Sequence, residues 1–217
     1  MQAEFWHERW SSNQIGFHED VENPLLVTHF AALGVPKSAR IFLPLCGKTL
    51  DIDWLLSNGY RVAGAELSPL AVASLFDRLR LSPAVETHGG NTRDITRWSA
   101  AGLDVFVGDI FALSAAVLGG VDAVYDRAAL IALPGDMRSR YAAHVDAITK
   151  GAPQLLITLD YDQRQMAGPP FAVSEAEIRR LYGDRAPALL ATQELPDGMR
   201  GVRPVTETAW LLRRPLK

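Results

Sequence analysis

Apolar residues along this chain follow two rhythms, and the switches between them predict its elements. Short, mostly apolar runs near residues 41–45, 60–66, 103–107, 121–125 and 154–159 have the form of strands buried on both faces. Between them the apolar positions recur every three to four residues, as on a helix packed by one side. Such stripes are Leu25, Leu26, His29, Phe30 and Leu33; Leu50, Trp54 and Leu55; Val72, Leu75, Phe76 and Leu79; and Met137, Tyr141, Val145 and Ile148. Ser68 before Pro69 has the form of a helix start, and Asn58-Gly59 of a helix end. Ser174 with Glu177 has the spacing of a capping box for a helix through Ile178 and Leu181. Residues 82–102 read as irregular and polar, with strand-like pieces around Ala84 to His88. Two last strands, at residues 188–195 and 207–213, are joined without a helix and so form an antiparallel hairpin. The pattern is α/β. It predicts one domain over residues 1–217, with a helical N-terminal cover (1–36) on a Rossmann-like core (37–217).

The richest stretch is residues 40–66, which reads as strand, tight turn, helix, strand. Pro44 ends the first strand, because it cannot donate to a ladder. Gly47 lets the backbone turn and approach a ligand with no Cβ in the way. Glu66 closes the second strand nineteen positions after Gly47, where a nucleotide-binding βαβ unit carries the carboxylate that accepts ribose hydroxyls. With one glycine in the turn, a βαβ unit without a nucleotide stays open as a reading. Asp109 and Ile110 follow the strand at 103–107, where an adenine ring would be met; a loop acid and a core residue are the alternative. Asp126-Arg127 follows the next strand and points at the same cleft, unless it is a solvated ion pair. The loop at residues 160–171 carries a stiff Pro169-Pro170 tip. Phe5, Trp6 and Trp10 share one side of a first short helix; with Phe17 they either pack on the core or cover a ligand.

Composition narrows the classes without choosing among enzymes. The chain has 217 residues and a formal charge of -3, with no basic run, so nucleic acid is not an expected partner. No apolar stretch is long enough for a membrane span, and the acidic, aromatic start is no signal peptide. One cysteine permits no internal disulfide and fits a reducing cytoplasm. Cys46 reads as a small buried turn residue, and the five histidines show no ligand spacing, so no metal is expected. Nothing in the pattern suggests an obligate oligomer, and a monomer is the expectation.

Phe42-Leu-Pro-Leu-Cys-Gly-Lys48, Val62-Ala-Gly-Ala-Glu-Leu-Ser68, Tyr125-Asp-Arg-Ala-Ala129 and Gly168-Pro-Pro-Phe171, in that order, resemble the thiopurine S-methyltransferase family. Trp6-x-x-x-Trp10 followed by Gly16-Phe-His-Glu19 resembles that family's opening. The resemblance implies a class I methyltransferase fold: a mostly parallel seven-stranded sheet with helices on both faces, a closing antiparallel hairpin and a helical N-terminal extension. It implies S-adenosylmethionine as cofactor and the sulfur of a small aromatic or heterocyclic thiol as acceptor. By position, Leu45 and Gly47 would approach the methionine part, Glu66 the ribose, and Asp109 with Ile110 the adenine, while Trp6 and Trp10 would cover the cofactor. Asp109 departs from relatives that carry a serine there. Arg127 would touch both cofactor and acceptor and is the candidate catalytic residue. Phe17, Pro169 and Pro170 would border the acceptor with a second arginine, either Arg200 or Arg203.

Methyl transfer of this kind is an in-line displacement, so alignment and exclusion of water are the main tasks. An aryl thiol is largely ionised near neutral pH and needs no dedicated base; Arg127 would stabilise its charge. Two rival readings share the fold. One is methylation of a halide, sulfide, selenium or tellurium species, and the other is a non-catalytic S-adenosylmethionine-binding module.

Overall fold

The computed structural model describes residues 3–14, 19–88 and 94–214, and its backbone forms one nine-stranded sheet between two layers of helices. In chain order the elements are α1 (Ala3–Ser11), α2 (Pro24–His29) running into a 3-10 turn (Phe30–Leu33), β1 (Arg40–Pro44), α3 (Asp51–Ser57), β2 (Arg61–Glu66) and α4 (Pro69–Arg78). There follow β3 (Ala84–His88), β4 (Ile95–Ala100), β5 (Leu103–Val107), α5 (Ala115–Leu118), β6 (Ala123–Asp126), α6 (Ala129–Ala132) and α7 (Gly135–Ile148). The chain closes with β7 (Gln154–Asp160), α8 (Glu175–Tyr182), β8 (Ala188–Glu194) and β9 (Thr206–Leu212). Among the described residues no helix is long and apolar enough to cross a membrane.

The sheet order is β3-β4-β5-β2-β1-β6-β7-β9-β8. β5, β2, β1, β6 and β7 run parallel in the centre. Because successive strand residues point to opposite faces, β1 sends Ile41 and Leu43 to one core and Phe42 to the other. The first core receives Leu26 and Phe30 with Ile52, Leu55, Val72 and Phe76; the second receives Leu130, Tyr141, Val145 and Ile178. All of these are buried. The long apolar runs are therefore strands covered on both sides, as their lack of alternation predicts.

Nine strands, not the seven that the family resemblance implies, is a correction: the strand-like piece at Ala84–His88 does form a strand, and residues 95–100, expected to be irregular, form another. β3 pairs antiparallel with β4, and β4 antiparallel with β5, extending the sheet beyond β5. β3 is an exposed edge, so it needs no apolar face. β4 is held by mixed contacts: Ile95 is buried in the second core, Trp98 packs on Phe76, and Arg97 grips Asp104 of β5 through Nη2 at 2.7 Å. A strand whose apolar residues are interleaved with charged and hydroxyl ones, and which leans on a cross-strand ion pair, shows no hydrophobic run to read. At the other end β9 pairs antiparallel with both β7 and β8, forming the expected closing hairpin.

Candidate active site

Leaving β1, the chain makes a turn that only unusual backbone angles permit. Leu45 and Gly47 have positive φ, 49° and 53°. The left-handed region is open to glycine, but at Leu45 it costs ~1–2 kcal/mol. The turn is stitched to β2: the Cys46 N–H donates to the Ala65 carbonyl at 3.0 Å, and the Gly47 N–H donates to Glu66 Oε2 at 2.8 Å. The other carboxylate oxygen, Oε1, accepts the Ser68 N–H at 2.8 Å, just where Ser68 caps α4 through the Ala71 N–H. Glu66 thus fixes the turn after β1 and the start of α4 together. Burial raises the Glu66 pKa, against the opposing pull of the Ser68 and Gly47 N–H groups. Cys46 lies beneath, its sulfur so near Gly64 that a Cβ there would sit 2.7 Å away. Burial first, and the Glu66 charge second, hold this thiol well above its ordinary pKa, which makes it a packing group rather than a nucleophile.

The turn forms one wall of a cavity of about 540 Å³ at the carboxyl ends of the strands. Strand order reverses about β1, with β2 on one side and β6 on the other, and open α/β sheets bind ligands at such a point. On the β1–β2 side the cavity is lined by Leu45, Gly47 and Glu66, with Trp6 and Trp10 of α1. The Trp10 ring lies against the bare face of Gly47; a Cβ there would be 3.2 Å from it. No residue of α1 is fully buried, so its aromatics meet the cavity rather than enter a core.

On the β6–β9 side the lining includes Arg127, Pro169, Pro170, Arg200 and Glu207. Asp126 and Arg127 separate there rather than pairing, because neighbours at a strand end face opposite ways. Asp126 turns into the second core, where its carboxylate accepts Tyr141 Oη at 2.6 Å and the Ala129 N–H at 3.1 Å. Burial outweighs those bonds and pushes its pKa up to about 6. Arg127 turns to the cavity and meets Glu19 at 3.5 Å. Pro169 and Pro170 are held by their carbonyls: Arg200 Nη1 donates to that of Pro169 at 3.1 Å, and Tyr161 Oη to that of Pro170 at 2.6 Å.

Of the two arginines left open by the sequence, Arg200 lines the cavity, whereas Arg203 is not part of the lining and pairs with Asp197 at 3.6 Å. Asp109 and Ile110 stand beside Glu66 in the fold, since the Gly108 N–H donates to the Glu66 carbonyl at 2.9 Å. They are not part of the cavity lining: Asp109 is exposed and caps the next turn through the Phe111 N–H, and Ile110 is packed in the second core. Phe17 lies outside the described residues.

Sequence reasoning missed a polar network beneath the β6–β9 side. Glu207, in β9, lines the cavity while its two oxygens accept Asn23 Nδ2 and Gln193 Nε2, each at 3.0 Å. Asn23 also donates its backbone N–H to buried Asp51 at 2.7 Å, and Asp51 accepts Tyr125 Oη at 2.9 Å. The available signal was a lone acid in the otherwise apolar and threonine-rich β9.

Comparison with known proteins agrees with this geometry. The family model described as Thiopurine S-methyltransferase matches residues 1–214. A thiopurine S-methyltransferase of Xanthobacter autotrophicus is 55% identical over 216 residues, which cover 99% of this chain and 100% of that protein. One of Gluconobacter oxydans is 46% identical, covering 96% of this chain and 93% of its own. Among solved structures, a SAM-dependent methyltransferase from Anabaena variabilis superposes with a TM-score of 0.67 at 15% identity, covering 98% of this chain and 95% of that one. A Burkholderia thailandensis 1,6-didemethyltoxoflavin-N1-methyltransferase with bound S-adenosylhomocysteine gives 0.65 at 16%, covering 97% and 87%. With the class I fold, the Gly47–Glu66 turn and a relative at 55% identity in place, the chain belongs to the thiopurine S-methyltransferase family of S-adenosylmethionine-dependent methyltransferases.

Proposed function

We propose that this protein methylates the sulfur of a small aromatic or heterocyclic thiol, such as a thiopurine, by direct in-line displacement. The observation that carries the reading is that one cavity joins the Gly47–Glu66 turn to Arg127 and the Pro169-Pro170 wall. The relatives' names support the same acceptor class.

The residues fit the cofactor that the family implies. Each Glu66 oxygen accepts one N–H and keeps a further lone pair for a ribose hydroxyl. Gly47 leaves the turn free of a side chain, and Leu45, Trp6 and Trp10 supply the apolar walls for the methionine part. Asp109 and Ile110 stand next along the strand ends and are the proposed adenine neighbours. Bound S-adenosylmethionine supplies an electrophilic methyl group on a sulfonium sulfur.

The protein's own part is placement. Arg127, mostly shielded from water, offers a fixed positive charge to a thiolate and stabilises it before and during transfer. Pro169, Pro170 and Arg200 bound the acceptor, and Trp6 and Trp10 of α1 cover the cofactor side and exclude water. We read the protein as a cytoplasmic monomer, which sedimentation of the purified chain checks for the oligomeric state. The test of function is calorimetric titration with S-adenosylhomocysteine, repeated with 6-mercaptopurine or thiophenol, followed by turnover with the methyl donor. Tighter cofactor binding with thiol present, and S-methyl product, are expected. Cofactor binding with no thiol effect and no product would overturn the thiol reading and leave the fold's cofactor role intact.

A further inference from the structure

Methylating a neutral thiol releases a proton, and an acceptor that is not already ionised needs somewhere to send it. Four acids line the cavity: Glu19, Glu22, Glu66 and Glu207. Glu19 and Glu22 are exposed, and both Glu66 oxygens are tied to the cofactor turn. Glu207 differs, being buried on the acceptor side with its carboxylate fixed by Asn23 and Gln193. Both partners donate through amide groups, so each oxygen retains a lone pair, and neither partner can take the proton in its place.

Resting on the proposed thiol acceptor, we propose that Glu207 is the proton acceptor for thiols that are neutral at the working pH. The S–H bond breaks and its proton passes to a Glu207 oxygen, while the freed electron pair forms the new S–C bond. The methyl–sulfonium bond breaks with its pair remaining on the departing sulfur, which leaves as a neutral thioether. Glu207 then returns the proton to water. Its surroundings suit that work. Burial raises the Glu207 pKa, moving a carboxylate toward neutrality, and Arg127 keeps it from rising further, ahead of the Asn23 and Gln193 bonds. Glu19 adds a repulsive charge from the chain before α2, and Asp51 with Tyr125 stands behind Asn23. Arg127 and Glu207 then divide the labour: one holds a thiolate, the other makes one.

The experiment compares thiophenol, largely ionised near neutral pH, with benzyl mercaptan, largely protonated there, in wild type and Glu207→Gln. Turnover of benzyl mercaptan should fall on the order of 100-fold more than that of thiophenol. Glu207→Asp should recover part of that gap. Calorimetry on the S-adenosylhomocysteine complex gives a readout of opposite sign: removing a negative charge beside Arg127 should tighten thiophenolate binding a few-fold. Equal loss on both thiols, or weaker thiophenolate binding, would make Glu207 a structural group and overturn the proposal. Should Glu207→Gln fail to fold, the wild-type pH profile decides. Between pH 7 and the thiol's own pKa, kcat/KM for benzyl mercaptan should be nearly flat; proportionality to the thiolate fraction would overturn the proposal. Wild-type turnover of thiophenol separates these outcomes from failure of the thiol reading itself.

Discussion

On the β1–β2 side of the cavity, Leu45, Gly47, Glu66 and Ser68 come from one continuous span, and the bonds that shape it run from main-chain N–H groups to one carboxylate. On the β6–β9 side, Arg127, Pro169, Arg200 and Glu207 come from separate segments and act through side chains or through carbonyls that other side chains hold. The first construction suits a ligand shared by a whole family, because backbone groups cannot be substituted away. The second leaves each wall free to change without disturbing the others. The comparison predicts that damage on one side stays on that side.

Glu66→Ala is the severest test. It leaves the Gly47 and Ser68 N–H groups without their acceptor, a stability cost of ~1–3 kcal/mol. With the ribose partner also gone, S-adenosylhomocysteine should bind on the order of 100-fold more weakly by calorimetry, equivalent to ~2.7 kcal/mol. Unchanged affinity would remove Glu66 from the site.

Arg127→Ala should lower thiophenol methylation by roughly 100-fold while S-adenosylhomocysteine affinity stays within about threefold. Equal loss of both would put Arg127 on the cofactor side and break the division between the two walls.

Its neighbour Asp126 gives a pH test that belongs to neither wall. The folded pKa is pushed up to about 6, above the unfolded carboxylate range, so the folded state binds the proton more tightly. Its contribution to stability is therefore full below the unfolded pKa and lost as pH rises through about 6. Asp126→Asn stays neutral throughout. Urea midpoints from pH 4 to 7 should show wild type losing ground to the variant by up to roughly 3 kcal/mol. A constant difference between the two would mean that Asp126 does not titrate in this range.

The smallest effect separates the two late arginines. Arg200→Ala should raise the KM for thiophenol a few-fold, whereas Arg203→Ala, which loses an exposed pair with Asp197, should change neither KM nor stability by more than ~0.5 kcal/mol. The reverse order would exchange their roles.

Most of the fold was legible. β1, β2, β5, β6 and β7 announce themselves as apolar runs because they are buried on both faces. Ser68 caps its helix by a bond to the nearby Ala71 N–H, a local chemistry that sequence carries. The capping box at Ser174 is half present: Ser174 Oγ accepts the Glu177 N–H at 3.3 Å, but the Glu177 carboxylate reaches Arg138 at 2.5 Å. β4 was illegible because its apolar residues, Ile95, Trp98 and Ala100, are separated by Thr96, Arg97 and Ser99, so neither a run nor a strict alternation shows. α5 and α6 span only four residues each, too few for a period to show.

The sequence alone determined the α/β class, the turn at Gly47 and the position of Glu66, because hydrophobic period, glycine freedom and βαβ spacing act over short stretches of chain. Tertiary structure decided which way Asp126 and Arg127 turn, whether Arg200 or Arg203 reaches the cavity, and that Glu207 is buried between Asn23 and Gln193. Those outcomes depend on which strands become neighbours and how each side chain is then desolvated, and residues far apart in the chain carry no mark of either until the sheet has formed.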